Sequence, residues 1–147
     1  MKAKIIGSIA LIIFIVACSK DKFQSKPTLE LKSIGEKTVP LNGTLKIELE
    51  YTDKEGDIAG DTILVFKVRN NLREAATLVR PVLDYLLPPE TPNKRTGVIE
   101  LIMANRDLVA SDAPIENDSL TMRFVLKDNA SNVSDTLDVE DIVITRR

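Results

Sequence analysis

Between Thr44 and Thr52 the chain alternates without a fault: Leu45, Ile47, Leu49 and Tyr51 fall on one side, and Lys46, Glu48 and Glu50 on the other. A period of two over nine residues suits a β-strand with one buried face and excludes a helix, whose apolar positions recur every three or four residues. A strand with one dry face needs a second apolar layer to cover it. The remainder of the chain supplies candidates for that layer. Thr28–Ile34 alternates through Leu29 and Leu31. Thr62–Arg69 is apolar on both faces at first, as a central strand would be. Gly97–Ala104 carries Val98, Ile99, Leu101, Ile102 and Met103, and Leu120, Met122, Phe124 and Leu126 alternate with Thr121, Arg123, Val125 and Lys127. The last run, Val133–Thr145, steps from Val139 to Ile142 and so breaks the period of two, which predicts a bulge near Glu140–Asp141.

One stretch departs from this pattern. Asn70–Pro89 sets Leu72, Ala75, Ala76, Val79, Val82, Leu83 and Leu86 at helical spacing, but Pro81 interrupts it and Pro88-Pro89 ends it. An irregular crossover with an edge strand, and at most a turn or two of helix, is the expectation. The fold class that follows is all-β: an immunoglobulin-like or fibronectin-like antiparallel sandwich of six to seven strands over residues 27–147.

The first 26 residues read differently. Met1-Lys2-Ala3-Lys4 is a short basic start, and Ile5–Val16 is almost wholly apolar. About a dozen residues of helix span roughly 18 Å, short of the ~30 Å hydrocarbon core, so a cleaved export signal over residues 1–17 fits better than a membrane span. Ile15-Val16-Ala17-Cys18 resembles the lipobox read by the lipoprotein signal peptidase, with an aliphatic three places before the cysteine and a small residue just before it. That resemblance implies lipidation at Cys18, with residues 18–26 as a polar tether. Several acyl chains at ~0.8 kcal/mol per buried methylene make such an anchor lasting. Ser19, rather than aspartate, follows the cysteine, which favours the outer membrane. Ser19-Lys20-Asp21-Lys22 is similar to a surface-export tag but has one acid where that tag prefers two, so the periplasmic and surface faces both stay open.

Composition narrows function mainly by what is missing. With no histidine and a single cysteine, the usual serine and cysteine triads, His-ligated zinc and an intramolecular disulfide all fall away. The formal charge of −2 gives no electrostatic reason to expect nucleic acid.

Two acidic loops stand out, one over residues 53–61 with Asp53, Glu55, Asp57 and Asp61, the other over 128–135 with Asp128 and Asp135. If the flanking strands are B, C, F and G of a sandwich, both loops emerge at one pole. Carboxylates so gathered repel unless solvated or bridged, and calcium takes six to eight oxygen ligands of these types. The same residues also suit tight turns, because Asp, Asn and Gly tolerate left-handed backbone and cap themselves. EF-hand spacing is absent, since no glutamate stands twelfth from Asp53. A calcium ion and an ordinary polar turn are both open at this point.

The lipobox, the Asp53-Lys54-Glu55-Gly56-Asp57 loop and the stretch Leu126-Lys127-Asp128-Asn129-Ala130-Ser131-Asn132-Val133-Ser134-Asp135 together resemble small single-domain lipoproteins of Bacteroidota with an Ig-like or cadherin-like sandwich. The resemblance implies location and fold more than activity. Asp61-Thr62-Ile63, Asp118-Ser119-Leu120 and Asp135-Thr136-Leu137 are similar to that phylum's O-glycosylation pattern, which makes Thr62, Ser119 and Thr136 candidates. The functional expectation is a non-catalytic binding or structural module at the outer membrane, working through contact with another envelope protein. Glycan binding is the alternative, but aromatics make up only 4% and tryptophan is absent, which leaves few platforms for stacking sugars. A hydrolase using Asp53 and Asp57 as acid and base is the least favoured reading, because a small sandwich lacks cleft-forming insertions.

Overall fold

The computed structural model describes residues 26–88, 92, 94–112 and 116–147. The export-signal reading, Cys18 and nearly all of the tether lie outside them. Eight strands and one short helix follow in order: β1 (Thr28–Ile34), β2 (Thr38–Val39), β3 (Thr44–Thr52), β4 (Thr62–Arg69), β5 (Val82–Leu86), β6 (Thr96–Ala104), α1 (Asn105–Leu108), β7 (Asp118–Leu126) and β8 (Leu137–Ile144). They form two sheets, β1-β3-β6 and β2-β8-β7-β4-β5. The chain is therefore an all-β sandwich, with β3, β4, β7 and β8 in the B, C, F and G places.

The period of two decides the packing. Leu45, Ile47, Leu49 and Tyr51 are all buried, while Lys46, Glu48 and Glu50 point away from the core. Outside, Lys46 Nζ lies 2.6 Å from Glu100 Oε2 on the neighbouring strand. β3 and β6 pair without a break from Thr44↔Ala104 to Thr52↔Thr96. Gly97 stands opposite Tyr51, and a Cβ there would come within 2.7 Å of the tyrosine ring, so the glycine makes room for an aromatic that covers it. Across the core, the second sheet presents Ile63, Val65, Leu120, Met122, Phe124, Leu126, Val139, Ile142 and Ile144. Each such side chain contributes roughly 1.5–3 kcal/mol by leaving water.

The expected bulge is present. Pairing steps from Leu120↔Ile142 to Met122↔Val139, and Asp141 takes φ +63°. Among the described residues, Asn70–Pro88 proves to be a crossover without helix that leads into the edge strand β5, paired with β4. Two elements were not expected. β2 has only two residues and pairs parallel to β8, and α1 is a single turn; neither is long enough to show a period. With β2 and β5 the described residues hold eight strands, close to the expected six to seven.

At the end of the sandwich where β4 finishes and β7 starts, polar groups turn inward and are met by partners. Asp118 is fully buried. Its carboxylate accepts hydrogen bonds from Arg69 Nε (2.9 Å), Ser111 Oγ (2.6 Å), Ala110 N (2.9 Å) and Arg146 Nη1 (3.2 Å). Burial alone would raise this carboxyl, but the Ser111, Ala110 and Arg69 hydrogen bonds and the Arg146 charge hold it below the ordinary aspartate value. Beside it, Lys67 Nζ donates to the carbonyls of Asp107 (2.8 Å) and Val109 (2.7 Å). Burial pushes that ammonium down to about 8, against the opposing pull of Asp118. Asn105 Nδ2 reaches both Val39 O and Thr145 O at 3.0 Å, tying α1 to β2 and the end of β8.

Replacement of Asp118 by asparagine should cost about 3 kcal/mol, because the buried Arg69 guanidinium loses its closest charge while Glu116 retains it from one side. The folded-state pKa lies below the ordinary aspartate value, so the contribution is complete above that ordinary value and disappears as pH falls through the lowered one. Urea unfolding of Asp118→Asn and the parent should differ most near neutrality and converge in strong acid.

Candidate functional site

The opposite pole gathers the starts of β1, β4, β6 and β8 with the ends of β3, β5 and β7. The connection 53–61 leaves β3 there and folds back on itself. Asp53 Oδ2 accepts the Asp57 N–H at 3.0 Å, and Asp53 N donates to Arg95 O at 2.7 Å. Gly56 sits at φ +70°, and a Cβ on it would lie 3.1 Å from Lys94 C, so both the backbone angle and the space ask for glycine. Ile58 is wholly buried and closes this end of the core. Gly60 takes φ +78° in open space, and Asp61 N bonds Ile58 O to return the chain into β4.

The connection between β7 and β8 turns around Asp128. Its Oδ1 accepts the Asn132 N–H (2.7 Å), its Oδ2 accepts Asn132 Nδ2 (2.8 Å), and Ser131 holds φ +68° inside the turn. Asn129 then joins the two loops, donating from its N–H to Asp57 O (3.3 Å) and from Nδ2 to Ala59 O (3.0 Å). The sequence reading named neither Asn129 nor Asn132 as a site residue. An Asp with Asn at i+1 and i+4 is the local signal, since short amides bond nearby backbone.

The result is a convergence of three acids from two loops. Asp53, Asp57 and Asp128 each bring one carboxylate oxygen within 4.8 Å of the other two. Asp53 is 1% exposed and Asp128 0%, with Asp57 half-buried. Asp53 Oδ1 and Asp57 Oδ1 are both buried with no hydrogen-bond partner among the described residues. Burial raises the Asp57 carboxyl above its ordinary value, and a hydrogen bond to Asp53 and the charges of Asp53 and Asp128 raise it further. Asp53 accepts a hydrogen bond from the Asp57 backbone amide, and Asp128 accepts two from Asn132, all from neutral donors.

The other three acids named from sequence stand apart. Glu55 is exposed. Asp61 turns its Oδ1 to the Thr62 N–H (2.8 Å), with Lys127 Nζ 3.9 Å away. Asp135 is 95% exposed and ion-pairs with Lys26. Loop position alone does not aim a side chain, and here the left-handed residues Gly56 and Ser131 decide which acids turn in.

Among the glycosylation candidates, Thr62 is half-buried at the start of β4, and Ser119 is half-buried in β7 beside the fully buried Asp118. Thr136 is exposed together with Asp135 before it. Of the three pairs, it alone offers both acid and hydroxyl residue to solvent.

A scan against models of known protein families finds no match to the chain, and a search of curated proteins finds no sequence relative.

The two glycines of the 53–61 connection allow a comparison. Gly56→Ala should destabilise the domain by about 2–3 kcal/mol, combining left-handed strain with the close Lys94 backbone. Gly60→Ala has the same strain and no neighbour, and should cost about 1 kcal/mol. Thermal unfolding of the two variants side by side checks the order.

Proposed function

We propose that the chain is a lipid-anchored, non-catalytic module of the outer membrane that holds its acidic pole toward the bilayer and contacts another envelope protein with the opposite pole. The observation that carries this reading is the polarity of the domain. β1 begins at Thr28 opposite Thr52, one residue before Asp53, and Lys26 pairs with Asp135. With lipid at Cys18, the tether joins the sandwich at the acidic pole, and its few residues reach roughly 25–30 Å at full extension.

The far pole carries apolar side chains that no core covers. Leu72 is 105% exposed, and Leu78 and Leu41 are more than half exposed. These are aliphatic rather than aromatic, which suits an apolar protein surface better than the faces of sugar rings. Polar groups beneath them are already paired through Asp118, Arg69 and Arg146, so docking there leaves the buried wiring intact.

The buried state of the acids supports a non-catalytic reading over hydrolysis. A general acid has to come within hydrogen-bond reach of the leaving oxygen, whereas Asp53 and Asp128 are covered by the protein itself.

Two measurements test the proposal. Cys18→Ser should abolish incorporation of an alkyne fatty acid and release the protein from the membrane fraction; equal labelling of the variant refutes the anchor. A photo-reactive side chain placed at position 72 or 78 in intact cells should give a discrete protein adduct, and one at position 55 should not. Adducts only from position 55, or only to polysaccharide, overturn the assigned docking pole.

A further inference from the structure

We propose that Asp53, Asp57 and Asp128 bind one calcium ion, which clamps the 53–61 connection to the 128–135 connection at the acidic pole. This does not rest on the anchoring or docking roles.

The proposal starts from a cost that the chain leaves unmet. A buried carboxylate oxygen without a partner loses its hydration and regains nothing, and the loss is greatest for a charged group. Two such oxygens, Asp53 Oδ1 and Asp57 Oδ1, are buried here, in residues whose carboxylates meet within 4.8 Å. Asp53 is almost completely enclosed, so water offers its carboxylate little relief. The neighbouring bonds hold the acids in place without using those oxygens. Asp57 N takes Asp53 Oδ2, and Asn132 takes both oxygens of Asp128 while leaving lone pairs on each. Asn129 locks one loop to the other through Asp57 O and Ala59 O, which fixes the spacing between carboxylates of different loops. The arrangement is thus held before any ligand arrives.

The donor set selects the ion. All three side chains are hard carboxylate oxygens, with no thiolate or imidazole, which disfavours zinc and copper. Three carboxylates supply three to six oxygens, and the half-buried side of Asp57 leaves access for water to complete a shell of six to eight, as calcium takes. Magnesium requires a small regular octahedron and sheds water reluctantly, so a pocket of two fully buried acids and one at the rim fits it less well.

A proton on the raised Asp57 carboxyl is the rival occupant, and the experiment separates them. The full chain, kept in detergent micelles, is melted in calcium chloride, in magnesium chloride and in EDTA. At a hundredfold excess over Kd, calcium should raise the midpoint by on the order of 10 °C, with a smaller rise in magnesium. Asp57→Asn and Asp128→Asn should each lose the calcium response, whereas Glu55→Gln, outside the cluster, should keep it. Should those variants fold poorly, the unmutated chain still decides through terbium. Tyr51 lies close enough for the Asp53 charge to act on its phenol, so terbium bound at the site should luminesce on tyrosine excitation and be displaced by calcium. Equal midpoints in calcium and EDTA, with no terbium signal, would overturn the proposal and leave a proton on Asp57 as the occupant.

Discussion

Two sheets that bury alternate residues make a dry slab that is open at both ends, and closing those ends governs the rest of this molecule. Along the slab the problem is simple, since an apolar residue at every second position excludes water. At the ends the chain must turn, and turning brings in backbone amides and short polar side chains that cannot be left dry and unpaired. The two poles answer the same demand in different ways.

At the Asp118 pole the answer is internal. A fully buried carboxylate meets two guanidiniums, a hydroxyl and a backbone amide, and its pKa falls despite its burial. Lys67 and Asn105 fasten α1 and the neighbouring chain in the same way. At the Asp53 pole the acids meet one another and neutral amides, two buried oxygens have no partner, and the Asp57 pKa rises. One buried aspartate is neutralised by its own chain, while among the three others the proposed calcium would supply the opposing charge. That asymmetry is the physical ground for placing a cation at one pole and a protein contact at the other.

A cation at the acidic pole would act on the domain as a whole. The 53–61 connection contributes Ile58 to the core and touches the 94–95 backbone through Asp53 and Gly56, and Asn129 joins it to the β7–β8 turn. Strengthening that junction would stiffen this end of the sandwich.

Much of the fold could be read from the sequence alone. The limits of β3 and β4 and the bulge at Glu140–Asp141 follow from apolar spacing, which reports burial directly, whereas the absence of helix through Asn70–Pro88 follows from the prolines that break a helical spacing, and the meeting of both acidic loops at one pole from the B, C, F and G places of their flanking strands. Chemistry absent from the composition was equally plain, because no fold can supply a histidine that is not encoded. What only the tertiary structure decided is which polar groups turn inward. Asp118 and Asp135 each precede a hydroxyl residue and a leucine, yet one is fully buried among arginines and the other stands in solvent. Asp53, Asp57 and Asp128 converge while Glu55 and Asp61 do not, because Gly56, Ser131 and Asn129 set the path of the loops. Spacing along a strand states which face a residue occupies. Within a turn the direction of a side chain depends on left-handed backbone angles and on hydrogen bonds to residues far away in sequence, and these exist only once the two loops have been brought together.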